Sequence, residues 1–76
     1  MNQRETLVMM ANQIARNFAT MKEADAVKAT ANHIAMFWDP RMRAMILDQS
    51  AGLTPLAAEA VAMLRERPES AGITTG

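Results

Sequence analysis

Two helix-start signals constrain what this chain can fold into. Asp39-Pro40 and Thr54-Pro55 each place a capping side-chain oxygen directly before a proline. Proline fits the first helical position because its missing N–H is not needed there. Strand signals are nearly absent, since the chain has no alternation of β-branched residues and no Asn-Gly turn. The sequence therefore predicts short helices that meet at sharp corners.

Apolar residues at helical spacing predict four helices. They run over roughly residues 4–20, 23–38, 40–50 and 55–66. The predicted apolar stripes are Leu7, Met10, Ala11, Ile14, Ala15 and Phe18 in the first helix; Val27, Ala31, Ile34 and Trp38, bordered by Thr30 and Phe37, in the second; Met42, Met45, Ile46 and Gln49 in the third; and Leu56, Ala60, Met63 and Leu64, with Val61 at the edge, in the fourth. On the first helix, Asn12 is predicted to lie opposite the stripe.

The predicted fold class is all-α, a small bundle of about four short helices. We expect one helical domain over residues 1–67 and a flexible tail over 68–76, which is rich in Gly, Ser and Thr. The third helix should end near Ser50, with Gly52 available as the left-handed closing residue. The first two helices should pack antiparallel because their connection is short.

Composition argues against several kinds of chemistry. The chain has no cysteine, which excludes disulfides, iron–sulfur ligation and a thiol nucleophile. Its one histidine, His33, cannot supply the three or four nitrogen or sulfur ligands that a protein-only zinc site usually needs. No paired carboxylates, Ser/His/Asp ordering or glycine-rich phosphate loop is recognisable. We expect no catalytic residue, no metal and no cofactor in this chain.

The charge and hydropathy of the chain limit the classes of partner that we expect it to bind. Eight basic residues balance eight acidic ones without clustering, whereas a nucleic-acid binder normally shows a basic stripe. No apolar run approaches the roughly 20 residues that cross a bilayer, and the first residues do not resemble a signal peptide. We expect a soluble cytoplasmic protein with no nucleic-acid and no membrane partner.

The corner before Asp39 is the candidate partner-binding segment. A large ring there either fills the chain's own core or enters a groove on a partner. Arg41 and Arg43 lie about 200° apart around a helix, so they point in different directions. One can pair locally while the other reaches an acidic patch or a phosphate. The predicted partner-binding residues are Phe37, Trp38, Arg41, Met42 and Arg43.

Two nearby polar residues have plainer expected roles. His33 is expected to pack its ring at the edge of the apolar stripe and to keep its tip in solvent. Asp39 is expected to cap the third helix, a role whose loss typically costs ~1 kcal/mol.

The chain resembles the delta subunit of NAD-dependent, molybdenum- or tungsten-containing formate dehydrogenases. Three segments carry the resemblance in family order: Leu7-Val8-Met9-Met10-Ala11-Asn12-Gln13-Ile14-Ala15; His33-Ile34 with Phe37-Trp38-Asp39-Pro40-Arg41-Met42-Arg43; and Gly52-Leu53-Thr54-Pro55-Leu56 with Glu59-Ala60-Val61. The resemblance implies a small, cofactor-free accessory subunit of a soluble complex. The larger subunits of such enzymes hold the bis-pterin metal centre, the iron–sulfur clusters and the flavin.

The leading functional hypothesis is a non-catalytic accessory subunit. It would dock on the formate dehydrogenase catalytic subunits and stabilise them, or assist assembly and insertion of the metal cofactor. The alternative is a small helical nucleic-acid-binding regulator, because short helices can form a helix-turn-helix. A third hypothesis is a small enzyme whose candidate catalytic residue is His33. The isolated chain is also a candidate for self-association as a homo-oligomer, through apolar stripes that normally meet a partner.

Overall fold

The computed structural model describes residues 2–49 and 51–66, which form four α-helices and no strand. The helices are α1 (Gln3–Asn17), α2 (Glu23–Phe37), α3 (Pro40–Leu47) and α4 (Pro55–Glu66). The predicted all-α class and the predicted number of helices are confirmed. The tail expected over residues 68–76 lies outside the described residues.

The helices begin where local capping chemistry predicts. Asp39 caps α3, because its side chain accepts a 2.8 Å hydrogen bond from the backbone N–H three residues on. The Thr54 hydroxyl accepts a longer, 3.4 Å bond from the corresponding N–H of α4. α1 starts with a capping box in which Asn2 and Glu5 bond each other's backbone N–H groups.

The end of α3 differs from the prediction. The helix ends at Leu47, with Asp48 at its C-cap, so the boundary predicted near Ser50 was wrong; Ser50 itself lies outside the described residues. Gly52 has the expected left-handed conformation, φ +89°, but it lies in the α3–α4 loop and does not close the helix. A Cβ at Gly52 would lie 3.3 Å from Val8 Cγ1, so this loop approaches α1 closely.

Asn12 explains the course of that loop. Its side-chain amide donates a 2.9 Å hydrogen bond to the Gly52 carbonyl, and its Oδ1 accepts one of 2.9 Å from the Thr54 N–H. The prediction that Asn12 lies on the outer face of α1 was therefore wrong. Its side chain is half-buried, and these two hydrogen bonds join α1 to the loop that leads into α4.

The core is thin and built largely from small residues. Of the fourteen buried apolar residues in the described part of the chain, six are alanines, which allow helices to approach closely: Ala11, Ala15, Ala26, Ala31, Ala57 and Ala60. The most extensive helix contact is between α2 and α4, while α1 packs on the other three helices. Thr30 is fully buried, and its hydroxyl donates a 2.8 Å hydrogen bond to the Ala26 carbonyl. The molecule measures only 18 Å along its shortest axis, so every helix keeps a face near solvent.

Candidate partner interface

The α2–α3 corner is held by Trp38, which is buried. Its indole belongs to the hydrophobic core and is 4% exposed. The backbone turns extended at Trp38, and its N–H donates a 3.0 Å hydrogen bond to the Ile34 carbonyl, which ends α2. The ring thus fills the chain's own core in this structure. A direct partner contact of Trp38 stays a prediction.

The two arginines of the corner take different roles. Arg43 Nη1 donates hydrogen bonds of 3.0 Å to the Ala35 carbonyl and 2.7 Å to the Trp38 carbonyl, and the side chain is half-buried. It therefore satisfies carbonyls that the end of α2 leaves without helical partners. Arg41 is exposed, and Met42 packs half-buried against the core. Of these three residues, only Arg41 is exposed.

An exposed set of apolar and aromatic side chains lies beside the corner. Phe37 is 70% exposed and Met36 is 75% exposed. The ring of His33 lies 4.7 Å from that of Phe37 and 6.4 Å from that of Phe18, in an edge contact with the latter. We call Phe18, His33, Met36 and Phe37 the aromatic face. It joins the end of α2 to the end of α1.

The position of His33 agrees with its predicted boundary role. Its ring is half-buried and packs between two phenylalanines. Phe37 was predicted to border the buried stripe of α2, and its ring instead lies outside the core, because the helix ends there and no neighbouring helix covers it.

Sequence reasoning missed Met36 as a surface residue of interest. It lies two residues from both Ile34 and Trp38, hence about 200° around the helix from the buried stripe. A large apolar residue on the side that faces water was the signal. Phe18 was placed in the apolar stripe of α1, but its contact with His33 depends on how α1 meets α2.

The rest of the described surface offers little reactive chemistry. Within residues 2–49 and 51–66, no three or more acidic or histidine side chains come together in a way that could hold a metal ion. Over the same ranges, no helix combines the length and the apolar character needed to span a bilayer.

The sequence profile described as NADH-dependent formate dehydrogenase delta subunit FdsD matches residues 6–61, well over half of the chain. The chain belongs to this family. The match extends from α1 into α4 and includes the α2–α3 corner and the whole aromatic face. No curated protein matches the chain significantly, and no solved structure does. The resemblance seen in the sequence is confirmed at the level of the family.

Proposed function

We propose that this delta-family chain is a non-catalytic accessory subunit of a cytoplasmic, NAD-dependent formate dehydrogenase. It docks on the catalytic subunits through the aromatic face and either stabilises them or assists assembly and insertion of the metal cofactor. The family description supports the identity of the complex. The observation that carries the docking role is the exposure of Met36 and Phe37 on a folded helix end.

The energetics favour this face as an interface. Fully burying a phenylalanine or methionine side chain contributes roughly 1.5–3 kcal/mol. Aromatic residues, methionine and arginine are enriched at protein interfaces, while isolated soluble chains gain nothing from exposing them. Arg41, exposed on the first turn of α3, adds a charged group beside the apolar area.

The buried part of the corner supports docking indirectly. Trp38 and Arg43 fix the end of α2 against α3, so Phe37 is presented on an ordered backbone. A preorganised contact residue loses less conformational entropy when it binds. The sequence-predicted residues thus divide into an exposed pair, Phe37 and Arg41, and a supporting set.

A binding measurement with matched variants tests the docking role. Purified chain is titrated onto the remaining subunits of the enzyme, and the dissociation constant is compared for Phe37→Ser, Met36→Ser and the control Met9→Ser. Met9 is also exposed, at 56%, but it lies on α1 outside the aromatic face. We expect the first two variants to weaken binding by about tenfold or more, the effect of losing a strong contact residue.

Helicity and thermal stability of these variants should match the native chain, because the replaced side chains are exposed. Equal losses for Met9→Ser and Phe37→Ser, or no loss for any variant, would contradict the use of this face.

The stoichiometry in the host separates the two accessory roles. A tagged chain is purified from cells grown with formate and molybdate, and the recovered proteins are quantified by mass spectrometry. Formate dehydrogenase subunits in near-equal amounts indicate a structural subunit, and trace amounts indicate an assembly factor. Recovery of none would refute the proposed function.

A further inference from the structure

The sulfur chemistry of this chain is carried by methionine alone. The chain has eight methionines and no cysteine, and every methionine except Met1 lies in the described residues. Peroxides convert a methionine thioether to the sulfoxide, and the reaction requires that the oxidant reach the sulfur. The exposure of each methionine therefore determines its expected reactivity.

Met36 is the most exposed methionine of the described residues. It is 75% exposed, compared with 56% for Met9, the next in order. Met10 and Met21 are exposed to a smaller extent. The other described methionines are half-buried and pack against the core: Met42, Met45 and Met63. Of all these residues, Met36 is expected to react first with a peroxide.

Met36 is also the one methionine of the aromatic face. It directly precedes Phe37 and follows His33 by three residues, which places His33 and Met36 on neighbouring positions of the α2 surface. A thioether packs favourably beside aromatic rings. A sulfoxide at this position puts a polar oxygen on the same surface, so the aromatic face loses part of its apolar character.

We propose that Met36 is a peroxide-sensitive modification site whose oxidation blocks docking of the aromatic face. The sulfur lone pair attacks one oxygen of hydrogen peroxide, an S–O bond forms and the O–O bond breaks. The hydroxide that leaves takes the proton of the transferred hydroxyl group and becomes water. Sulfur thus loses the two electrons that the peroxide gains. The inference rests on the proposed function, because docking through this face is what the modification affects.

Docking and oxidation oppose each other in this scheme. A buried sulfoxide oxygen has to give up its hydrogen bonds to water, which disfavours the docked state. A docked partner in turn covers Met36 and keeps peroxide away from it. The fold of the chain is unaffected, because Met36 is outside the core. Methionine sulfoxide reductases reverse the modification, so the change in docking is reversible.

Peptide mass spectrometry after timed exposure to hydrogen peroxide tests the accessibility. In the isolated chain, Met36 should be oxidised fastest and the three half-buried methionines slowest. With the remaining enzyme subunits in excess, oxidation of Met36 should slow by about tenfold or more, while Met9 reacts at its former rate. Oxidation of Met36 no faster than that of Met63, or at the same rate with and without the partner, would overturn the inference.

A pair of leucine variants tests the effect on docking. Leucine conserves the size and apolar character of methionine but has no sulfur to oxidise. After peroxide treatment, the native chain and Met9→Leu should bind the remaining subunits about tenfold or more weakly than before. Treated Met36→Leu should keep its affinity. Equal losses for Met36→Leu and Met9→Leu would overturn the inference, because another residue would then be responsible.

Reduction of the sulfoxide separates modification from damage. Treatment of the oxidised native chain with methionine sulfoxide reductases should restore its affinity, and binding that stays weak after Met36 is reduced would contradict the inference. Unchanged binding of the native chain with Met36 fully oxidised would overturn the inference and leave the proposed function intact. Failure of the unoxidised chain to bind at all would refute the proposed function, and this inference with it.

Discussion

At the scale of single residues, Arg43 and Arg41 are the same residue type in one turn of α3, yet we expect them to contribute differently to stability. Replacing Arg43 with methionine leaves the carbonyls of Ala35 and Trp38 without their partner, at the half-buried end of α2. Hydrogen bonds from a charged group contribute about 1.5–3 kcal/mol. We expect Arg43→Met to lower the free energy of unfolding by about that amount, measured by urea denaturation followed by circular dichroism.

Arg41→Met is the matched control, since Arg41 is exposed. Its free energy of unfolding should stay within about 0.5 kcal/mol of the native value. If both variants lost equal stability, the carbonyl contacts of Arg43 would not be what holds the corner.

Asn12 gives a second prediction at this scale. Asn12→Ala removes both hydrogen bonds to the α3–α4 loop, and each typically contributes about 0.5–1.5 kcal/mol. We expect a loss of about 1–2 kcal/mol in the free energy of unfolding, while Gln13→Ala, an exposed neighbour, should be nearly neutral. If Asn12→Ala left the free energy of unfolding unchanged, the loop conformation would depend on its own backbone, chiefly on the left-handed conformation of Gly52, and not on Asn12.

At the scale of elements, helix starts were predictable, whereas the ends of α1 and α3 were not. A cap and a proline are adjacent in sequence, so Asp39-Pro40 and Thr54-Pro55 fix two starts locally. The path of the loop after α3 depends on Asn12, which is forty residues from Gly52 in sequence, and the Leu47 carbonyl at the end of α3 accepts hydrogen bonds from Arg65 of α4. Local pattern carries no information about such a contact.

The candidate site likewise has a part that local sequence determines and a part that helix packing determines. The corner of Trp38 and Asp39 follows from sequence. The aromatic face needs Phe18 of α1 to meet His33 of α2, and the exposure of Phe37 needs the absence of a covering helix. Both depend on helix packing, which amphipathic stripes do not specify.

The stability of the packing between α2 and α4 depends on pH through Glu23 of α2 and Glu59 of α4. Glu59 has a folded-state pKa above its ordinary 4.5, with the hydrogen bond from Glu23 as the largest cause, so the folded chain holds that proton more tightly than the unfolded chain. The resulting stabilisation is complete below pH 4.5 and is lost as pH rises through the folded pKa. The melting temperature of Glu59→Gln should therefore exceed that of the native chain at neutral pH.

The difference in melting temperature should shrink as pH falls below that window. Asp25→Asn, which removes another acid from the first turn of α2, serves as the control. A difference that is constant across pH would show that the carboxyl pair does not contribute to stability.

At the scale of the whole molecule, the thin core limits what the chain can do alone. A domain of this size buries only about 60% of the surface that its unfolded form exposes, and here much of the buried set is alanine. Such a chain is marginally stable, and it leaves the large side chains of Met36 and Phe37 on its aromatic face exposed. A partner that binds only the folded chain adds stability through mass action, about 2.7 kcal/mol at a concentration of 100 times Kd.

Amide hydrogen exchange of the chain, measured by mass spectrometry with and without the other enzyme subunits, tests this coupling. A gain of about 2.7 kcal/mol slows exchange through global unfolding by about 100-fold. The core amides of all four helices should slow together, including those of α3, because a marginal chain exchanges through whole-molecule opening. Slowing confined to the ends of α1 and α2 would mean that the partner only shields the aromatic face and that the chain is already stable alone.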